Sequence, residues 1–399
     1  KLGDKIGNHK IYTWGFLAFT AGSLTCSLAP TLVWLISARV FQAFGASMMM
    51  ATGMGIVSNT FPSNERGKAL GLTGSIVGIG NMAGPSLGGL LVANFNWPII
   101  FLINIPIGLM GFFLACKFLP EQPCDNSGKS YDVIGTVVFA TAAIILILSL
   151  SVGQSINVSL LITGIMLFII FYVYEKYAPT PVLDFQLFKI KAFVYGNLMG
   201  VASYISQTFV TFLMPFYLER LLHFSPAYSG ILMTLTPISM AITAPLAGNL
   251  SDRIGSSRLT SVAFILLTSA HLLFSTLNQD SSIYTIAAGL LILGIGTGLF
   301  GSPNNSSILG SVPREKSGYT GGFISTVRNL SFTMGIAASV SMFTYFFTIN
   351  SKHTSSSLAY GIANRYVYLI STAITLSGLV ISLVTSPARR QQKFSENQF

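Results

Sequence analysis

Two arginines stand inside apolar runs of this sequence, Arg39 in "LISARVFQAFGAS" and Arg328 in "GGFISTVRNLS". A guanidinium within hydrocarbon costs about 2.5–3.5 kcal/mol on insertion scales, so each must face a partner or a wet cavity. Arg39 is either a functional cation facing the interior or a structural one snorkelling to the surface, and the residues alone leave both open. Arg328, with Asn304 and Asn305 of "SPNNSS", either lines a cavity or belongs to a buried polar clamp between helices, and for Arg328 the clamp is favoured. Gln42 and Gln207 complete the set of candidate cavity residues. The acids behave differently: all 12 Asp and Glu fall in loops or near helix ends. Proton coupling requires a protonatable group inside the pathway. None is placed there, and Glu219, near a helix end, is a weak substitute.

Other chemistries find no support. Gly296, Gly298 and Gly301 spell GxGxxG, but a dinucleotide loop needs a preceding strand and an acid about 20 residues on, and this run lies inside an apolar segment. No HExxH, Walker loop or GxSxG elbow occurs, and the four histidines are scattered. His271 reads as a helix residue with a satisfied hydrogen bond. Cys26, Cys116 and Cys124 are odd in number and lack metal-ligand spacing, which points to packing. The expectation is therefore no enzyme, no cofactor and no metal.

The elements that must position these residues are membrane helices. The 399 residues are 51% hydrophobic and 9% charged, against roughly 25% charged in a soluble domain. Apolar stretches of about 18 to 28 residues, long enough to cross a bilayer, recur at 11–29, 32–59, 69–93, 98–118, 132–152, 157–178, 193–218, 226–250, 259–277, 283–309, 319–349 and 366–386. If the first loop is cytoplasmic, only Arg220, Lys352 and Arg365 of the loop cations fall on the opposite side. That asymmetry follows the positive-inside rule and places the C-terminus in the cytoplasm. The net charge of +10 thus reflects orientation and anionic lipid rather than nucleic acid.

An internal repeat organises the chain. "PSNERG" at Pro62–Gly67 matches "PREKSG" at Pro313–Gly318, and Gly84 and Gly335 share the same offset of 251; Asp4 and Asp252 lie 248 apart. Four apolar stretches follow each charged motif. Two precede the second motif, whereas the first motif stands at the start of the sequence, so the repeat predicts a fourteen-helix parent shortened by its first two helices, with twelve visible. The expected divisions are 1–118, an N-terminal bundle lacking its first pair; 119–178, a cytoplasmic loop and two inserted helices; 179–192, an amphipathic linker; 193–386, a C-terminal six-helix bundle; and 387–399, a cytoplasmic tail. Two six-helix repeats related by an axis along the membrane normal are a recurrent transporter plan with the substrate between them.

The opening "KLGDKIGNHK" resembles the loop motif of the major facilitator superfamily, matching at Leu2, Asp4, Lys5, Gly7 and Lys10 and departing at Asn8 and His9. It recurs as Asp252, Arg253 and Gly255. Such a loop can cap a helix and serve as a salt-bridge latch between conformations. "GNMAGPSLGG" is similar to the antiporter motif of proton-coupled drug exporters in that superfamily, at Gly80, Gly84, Pro85, Gly88 and Gly89; glycines at four-residue spacing let helices approach, and Pro85 frees a carbonyl. The context of Arg39 resembles the family's fourth-helix motif, and the resemblance implies that Arg39 modulates the protonation of a nearby acid in the proton relay, a role weighed evenly against the structural one. "WPIIFLINIPIG" resembles a further stretch of the family but carries Pro98 where the family usually has Arg, so the ionic role implied for that loop does not carry over to position 98.

These motifs resemble the fourteen-helix drug:proton antiporters. The resemblance implies an all-α integral membrane protein of the major facilitator fold, two pseudo-symmetric bundles with two extra central helices. It also implies a monomeric, multi-pass protein of the cell membrane that exports small-molecule drugs or lipophilic cations against protons by alternating access. A dedicated exporter of one metabolite or peptide, and a transport-dead sensor or scaffold, are the alternatives.

Overall fold

The computed structural model describes residues 3, 6–62, 66–119, 132–151, 157–178, 181, 183–313 and 316–385, and among them there is helix and no strand. Twelve long helices carry the fold: α1 Asn8–Ser27, α2 Leu32–Thr60, α3 Arg66–Asn94, α4 Ile99–Phe118, α5 Val133–Ser151, α6 Val158–Tyr177, α7 Lys191–Leu221, α8 Pro226–Ile254, α9 Ser256–Ser275, α10 Ile283–Gly310, α11 Ser317–Asn350 and α12 Ser356–Thr385. Several begin where a side chain can take up an orphan amide. Thr31, Asn157, Ser225 and Ser282 each accept from a backbone N–H at the start of α2, α6, α8 and α10, which satisfies donors that the first turn leaves free. Pro226 occupies the first position of α8, where its missing N–H costs nothing.

Nine helices among the described residues are long and apolar enough to cross a membrane by composition alone. The apolar part of α5 is short, at Val133–Ser149. The helices α1 and α3 are diluted by Ser, Thr, Gly and Asn, and close packing must compensate for their weak hydropathy. The bundle does contain close packing. A Cβ on Gly22 would lie 2.6 Å from Gln42 Cα, so α1 and α2 cross backbone to backbone. On α10, Gly294 and Gly298 approach α8, whereas Gly296 approaches Ala263 O of α9 at 3.2 Å. Within the formal GxGxxG, Gly296 and Gly298 thus face two different helices, whereas a Cβ at Gly301 would meet nothing within 4 Å among the described residues.

Helix pairing repeats the sequence repeat. In the first half α1 packs on α2 and α4; in the second α9 packs on α10 and α12. The helices α5 and α6, expected from the sequence to be an inserted pair, pack on each other, and α5 also touches α11. Across the seam, α2 meets α11, and α3 meets α8 and α10. The 251-residue offset carries α2 onto α10 and α3 onto α11, so the α2–α11 and α3–α10 contacts exchange under it, as a two-fold axis between the halves demands. The second half holds the main apolar core, around Phe209, Leu213, Met214, Phe264, Phe274 and Tyr368.

Three helices are interrupted. The helix α4 breaks at Ile103 and α8 at Thr234, and α7 ends in a π turn at Tyr217–Leu221, just after Pro215. Proline removes an i−4 hydrogen bond, and π turns take up such irregularity. The helix α3 runs on through Pro85. The last helix starts at Ser356, ten residues before the apolar stretch expected at 366–386, and the added turns bury Ala359, Tyr360 and Ala363 together with Asn364, which is 1% exposed. Hydropathy cannot foresee a polar residue packed inside.

Candidate functional site

The loop glycines of the repeat are placed alike. Gly7 precedes α1 with φ 103° and Gly255 precedes α9 with φ 88°, in the part of the map that L-residues with a Cβ avoid. Asp4 and Lys5 lie outside the described residues, as does the side chain of Asp252, and Arg253 is exposed. At the same end of the molecule Lys316 of "PREKSG" pairs with Asp184 and donates to Gln186 Oε1 at 3.2 Å, while the Asp184 amide donates to Tyr319 Oη at 2.9 Å. The linker before α7 is thereby tied to α11. It forms a 3-10 turn at Leu187–Lys189, and Leu187 packs with Phe193, Ile308, Leu309 and Ile324, with Val57 of α2 against them.

In the first half a polar chain crosses from α2 to α1. Arg39 Nη1 donates to Gln42 Oε1 at 2.7 Å, Gln42 Nε2 donates to Ser23 Oγ at 2.7 Å, and Ser23 Oγ donates to Phe19 O at 2.8 Å. Gln42 is 2% exposed, whereas Arg39 is exposed and lies 5.7 Å from the Phe101 ring centroid. Its charge is spread over an amide and an aromatic face rather than a carboxylate.

The glycines of "GNMAGPSLGG" line one side of α3. A Cβ at Gly80, Gly84 or Gly88 meets nothing within 4 Å among the described residues, and one at Gly89 would lie 3.8 Å from Pro226 O of α8. Their repeat counterpart Gly335 is packed tightly: a Cβ there would overlap Thr208 Oγ1 and stand 3.0 Å from Ile205 O of α7.

The second half collects the remaining candidates on α7, α10 and α11. Gln207 is buried and donates to Ser203 Oγ at 2.9 Å. Asn304 Nδ2 donates to Gly196 O at 3.1 Å, which leaves Asn304 Oδ1 buried without a partner, as is Asn305 Oδ1. Arg328 heads the largest fully buried side chains, and its Nε has no partner. Aromatic residues that the sequence did not single out complete this region. Tyr204 packs edge-on to Phe332 at 5.4 Å and to Phe300 at 6.4 Å, and Phe264 packs on Phe300 at 5.2 Å. With 30 Phe in the chain, spacing alone carried no label for these rings. The structure thus gathers Asn304, Arg328, Tyr204, Phe300 and Phe332 in one interior region of the second half, with Arg39 and Gln42 together in the first.

His271 of α9 sits between two helices with Nδ1 2.7 Å from Leu267 O and Nε2 3.0 Å from Ser206 O of α7. Two carboxylates converge where α5 begins and α6 ends. Asp132, at the start of α5, accepts from Gly135 N at 2.7 Å and from Tyr174 Oη at 3.1 Å, and a Cβ on Gly135 would touch both Asp132 and Glu175. Among the described residues no cluster of His, Cys, Asp and Glu could hold a metal.

The profile described as Major Facilitator Superfamily matches residues 1–196 and 196–398, the two matches meeting near the start of α7. The riboflavin transporter RibZ of Clostridioides difficile (strain 630) is 45% identical over 383 residues, 96% of this chain and 84% of that protein. The multidrug resistance protein Stp of Mycobacterium tuberculosis (strain CDC 1551 / Oshkosh) is 29% identical over 343 residues, 84% of this chain and 64% of its own. Among solved structures, the human organic anion transporter MFSD10 (TETRAN) superposes with a TM-score of 0.63 at 14% identity, covering 96% of this chain and 78% of that one; this likeness concerns the fold alone.

Proposed function

The chain belongs to the major facilitator superfamily, and from that premise we propose that it carries a flat heteroaromatic metabolite of the flavin kind across the membrane by alternating access of its two halves. It is a membrane transporter, not an enzyme. The observation that carries the substrate reading is the 45% identity to a riboflavin transporter, spread over 96% of the chain and so including α7, α10 and α11. The buried aromatic wall of Tyr204, Phe300 and Phe332 agrees with it, because flat rings stack on aromatic edges and faces. The loop and GP/GG motifs further support membership in the fourteen-helix antiporter group, with protons as the counter-ion. The cation distribution supports the Gly7 end as the cytoplasmic one.

Broad drug export is the second reading, favoured by the likeness to Stp at 29% identity. One experiment separates the two. The chain is reconstituted in proteoliposomes with an imposed proton gradient, and riboflavin, ethidium and a lipophilic rhodamine are followed by fluorescence. The flavin reading expects saturable riboflavin flux with little dye movement; with no acid placed inside the pathway, it does not require that the flux follow the gradient. Flux of both dyes without riboflavin overturns it in favour of drug export.

A further inference from the structure

Arg328 is the strangest residue in the molecule. It is 2% exposed, it forms no ion pair or hydrogen bond among the described residues, and its Nε is buried without a partner. It stands eleven residues into α11, roughly 17 Å along the helix axis at 1.5 Å per residue, a depth comparable to half a hydrocarbon core. A buried charge lacking its partner is strongly unfavourable. A transporter can tolerate that if the partner arrives with the substrate.

The neighbours restrict what that partner can be. Phe332 lies one turn beyond Arg328 on the same face of α11 and packs on Tyr204 at 5.4 Å. Tyr204 and Asn304 share a wall through Gly200, whose Cβ would lie 3.3 Å from Tyr204 Cε2 and 4.0 Å from Asn304 Nδ2. Asn304 is anchored through Nδ2 to Gly196 O, so its Oδ1 is an acceptor in want of a donor. The region therefore offers a cationic donor, an unfilled amide acceptor and aromatic rings at once. A simple anion would pair with Arg328 and leave the oxygen of Asn304 unfilled, at the cost of a buried unsatisfied group. A lipophilic cation would suit the oxygen and be repelled by the guanidinium. A ring bearing a cyclic imide, with C=O, N–H and C=O in a row, satisfies both.

We propose that Arg328 and Asn304, walled by Tyr204, Phe300 and Phe332, form a recognition site for the acceptor–donor–acceptor edge of a cyclic imide on a flat ring. The assignment rests on the flavin reading above and makes it specific: the imide carbonyls accept from Arg328 and the imide N–H donates to Asn304 Oδ1.

The test is binding to the purified chain in lipid nanodiscs, read by quenching of flavin fluorescence, with riboflavin and its N3-methyl derivative as the pair. Methylation removes the donor and leaves the rest of the ring, and it should weaken binding roughly tenfold or more, as expected for a buried acceptor left unpaired. Arg328→Gln should weaken riboflavin by a similar factor and improve binding of tetraphenylphosphonium. Equal binding of the two flavins overturns the site, as does an Arg328→Gln protein that melts like its parent and binds riboflavin as well. If that variant does not fold, the methylation comparison on the unaltered chain decides. If neither flavin binds, the flavin reading is lost. Lumazine, a smaller ring with the same imide, then decides the site against its own N3-methyl derivative: preference for the N–H form keeps it, and equal or absent binding ends it.

Discussion

At Gly255 the chain turns from α8 into α9 at φ 88° with nothing within 4 Å of where a Cβ would be. Any penalty for adding one is therefore conformational, and Gly255→Ala should cost about 1–2 kcal/mol. Gly301 is equally unobstructed but lies within α10, so Gly301→Ala should be neutral or stabilising by up to about 1 kcal/mol. Thermal unfolding in detergent reads both, and loss of stability of the same size in each would remove the backbone argument. Gly7 and Gly255 were legible in the sequence because a glycine recurring beside a recurring acid implies a backbone need. The isolation of Arg328 was not legible: the sequence left cavity and clamp open and leaned toward the clamp, since a partner's absence depends on what three helices bring near. His271 shows the reverse case, a polar residue expected to hold a hydrogen bond, whose ring nitrogens lie against Leu267 O and Ser206 O; a neutral ring donates to one of these carbonyls, and only the crossing of α7 and α9 could name the pair.

Among helices, the contact between α7 and α11 is the one most sensitive to a single side chain. Gly335 lets α11 lie against Thr208 and the carbonyl of Ile205, and the hydroxyl of Thr208 can turn aside whereas the carbonyl cannot. Gly335→Val should push the helices apart and cost on the order of 1–3 kcal/mol. Because Tyr204 and Phe332 face each other across that same contact, the variant should also lose riboflavin binding in step with its melting temperature. A protein that melts lower yet binds unchanged would uncouple the packing from the site. The spans themselves could be read from composition, since a helix in hydrocarbon satisfies its own backbone and needs only apolar length. Their interruptions were legible only in part: Pro215 stands just before the π turn, whereas no residue type marks the break at Thr234 or the early start of α12, whose added turns bury Ala359, Tyr360, Ala363 and Asn364.

For the molecule as a whole, the seam between halves decides whether anything moves. The halves touch at one end where Val57 of α2 packs against the Leu187 cluster, and at the other where Gly89 of α3 approaches Pro226 O of α8. Alternating access requires each end to open while the other stays closed, so a bond across either end should arrest the cycle without disturbing the fold. Gly89 and Pro226 suit this test because the first has room for a side chain and the second is an N-terminal helix position where proline is dispensable. In a background with Cys26, Cys116 and Cys124 replaced, the Gly89→Cys, Pro226→Cys pair should cross-link with a short bis-maleimide or by oxidation. Flux of the compound that the proteoliposome assay finds transported should then stop, and for the oxidised pair it should return on reduction, while each single cysteine variant stays active. Undiminished flux through the cross-linked protein would mean that this end of the seam need not part. The rocking of two halves would then have to give way to movement within one bundle, where Arg328 and its aromatic wall already lie.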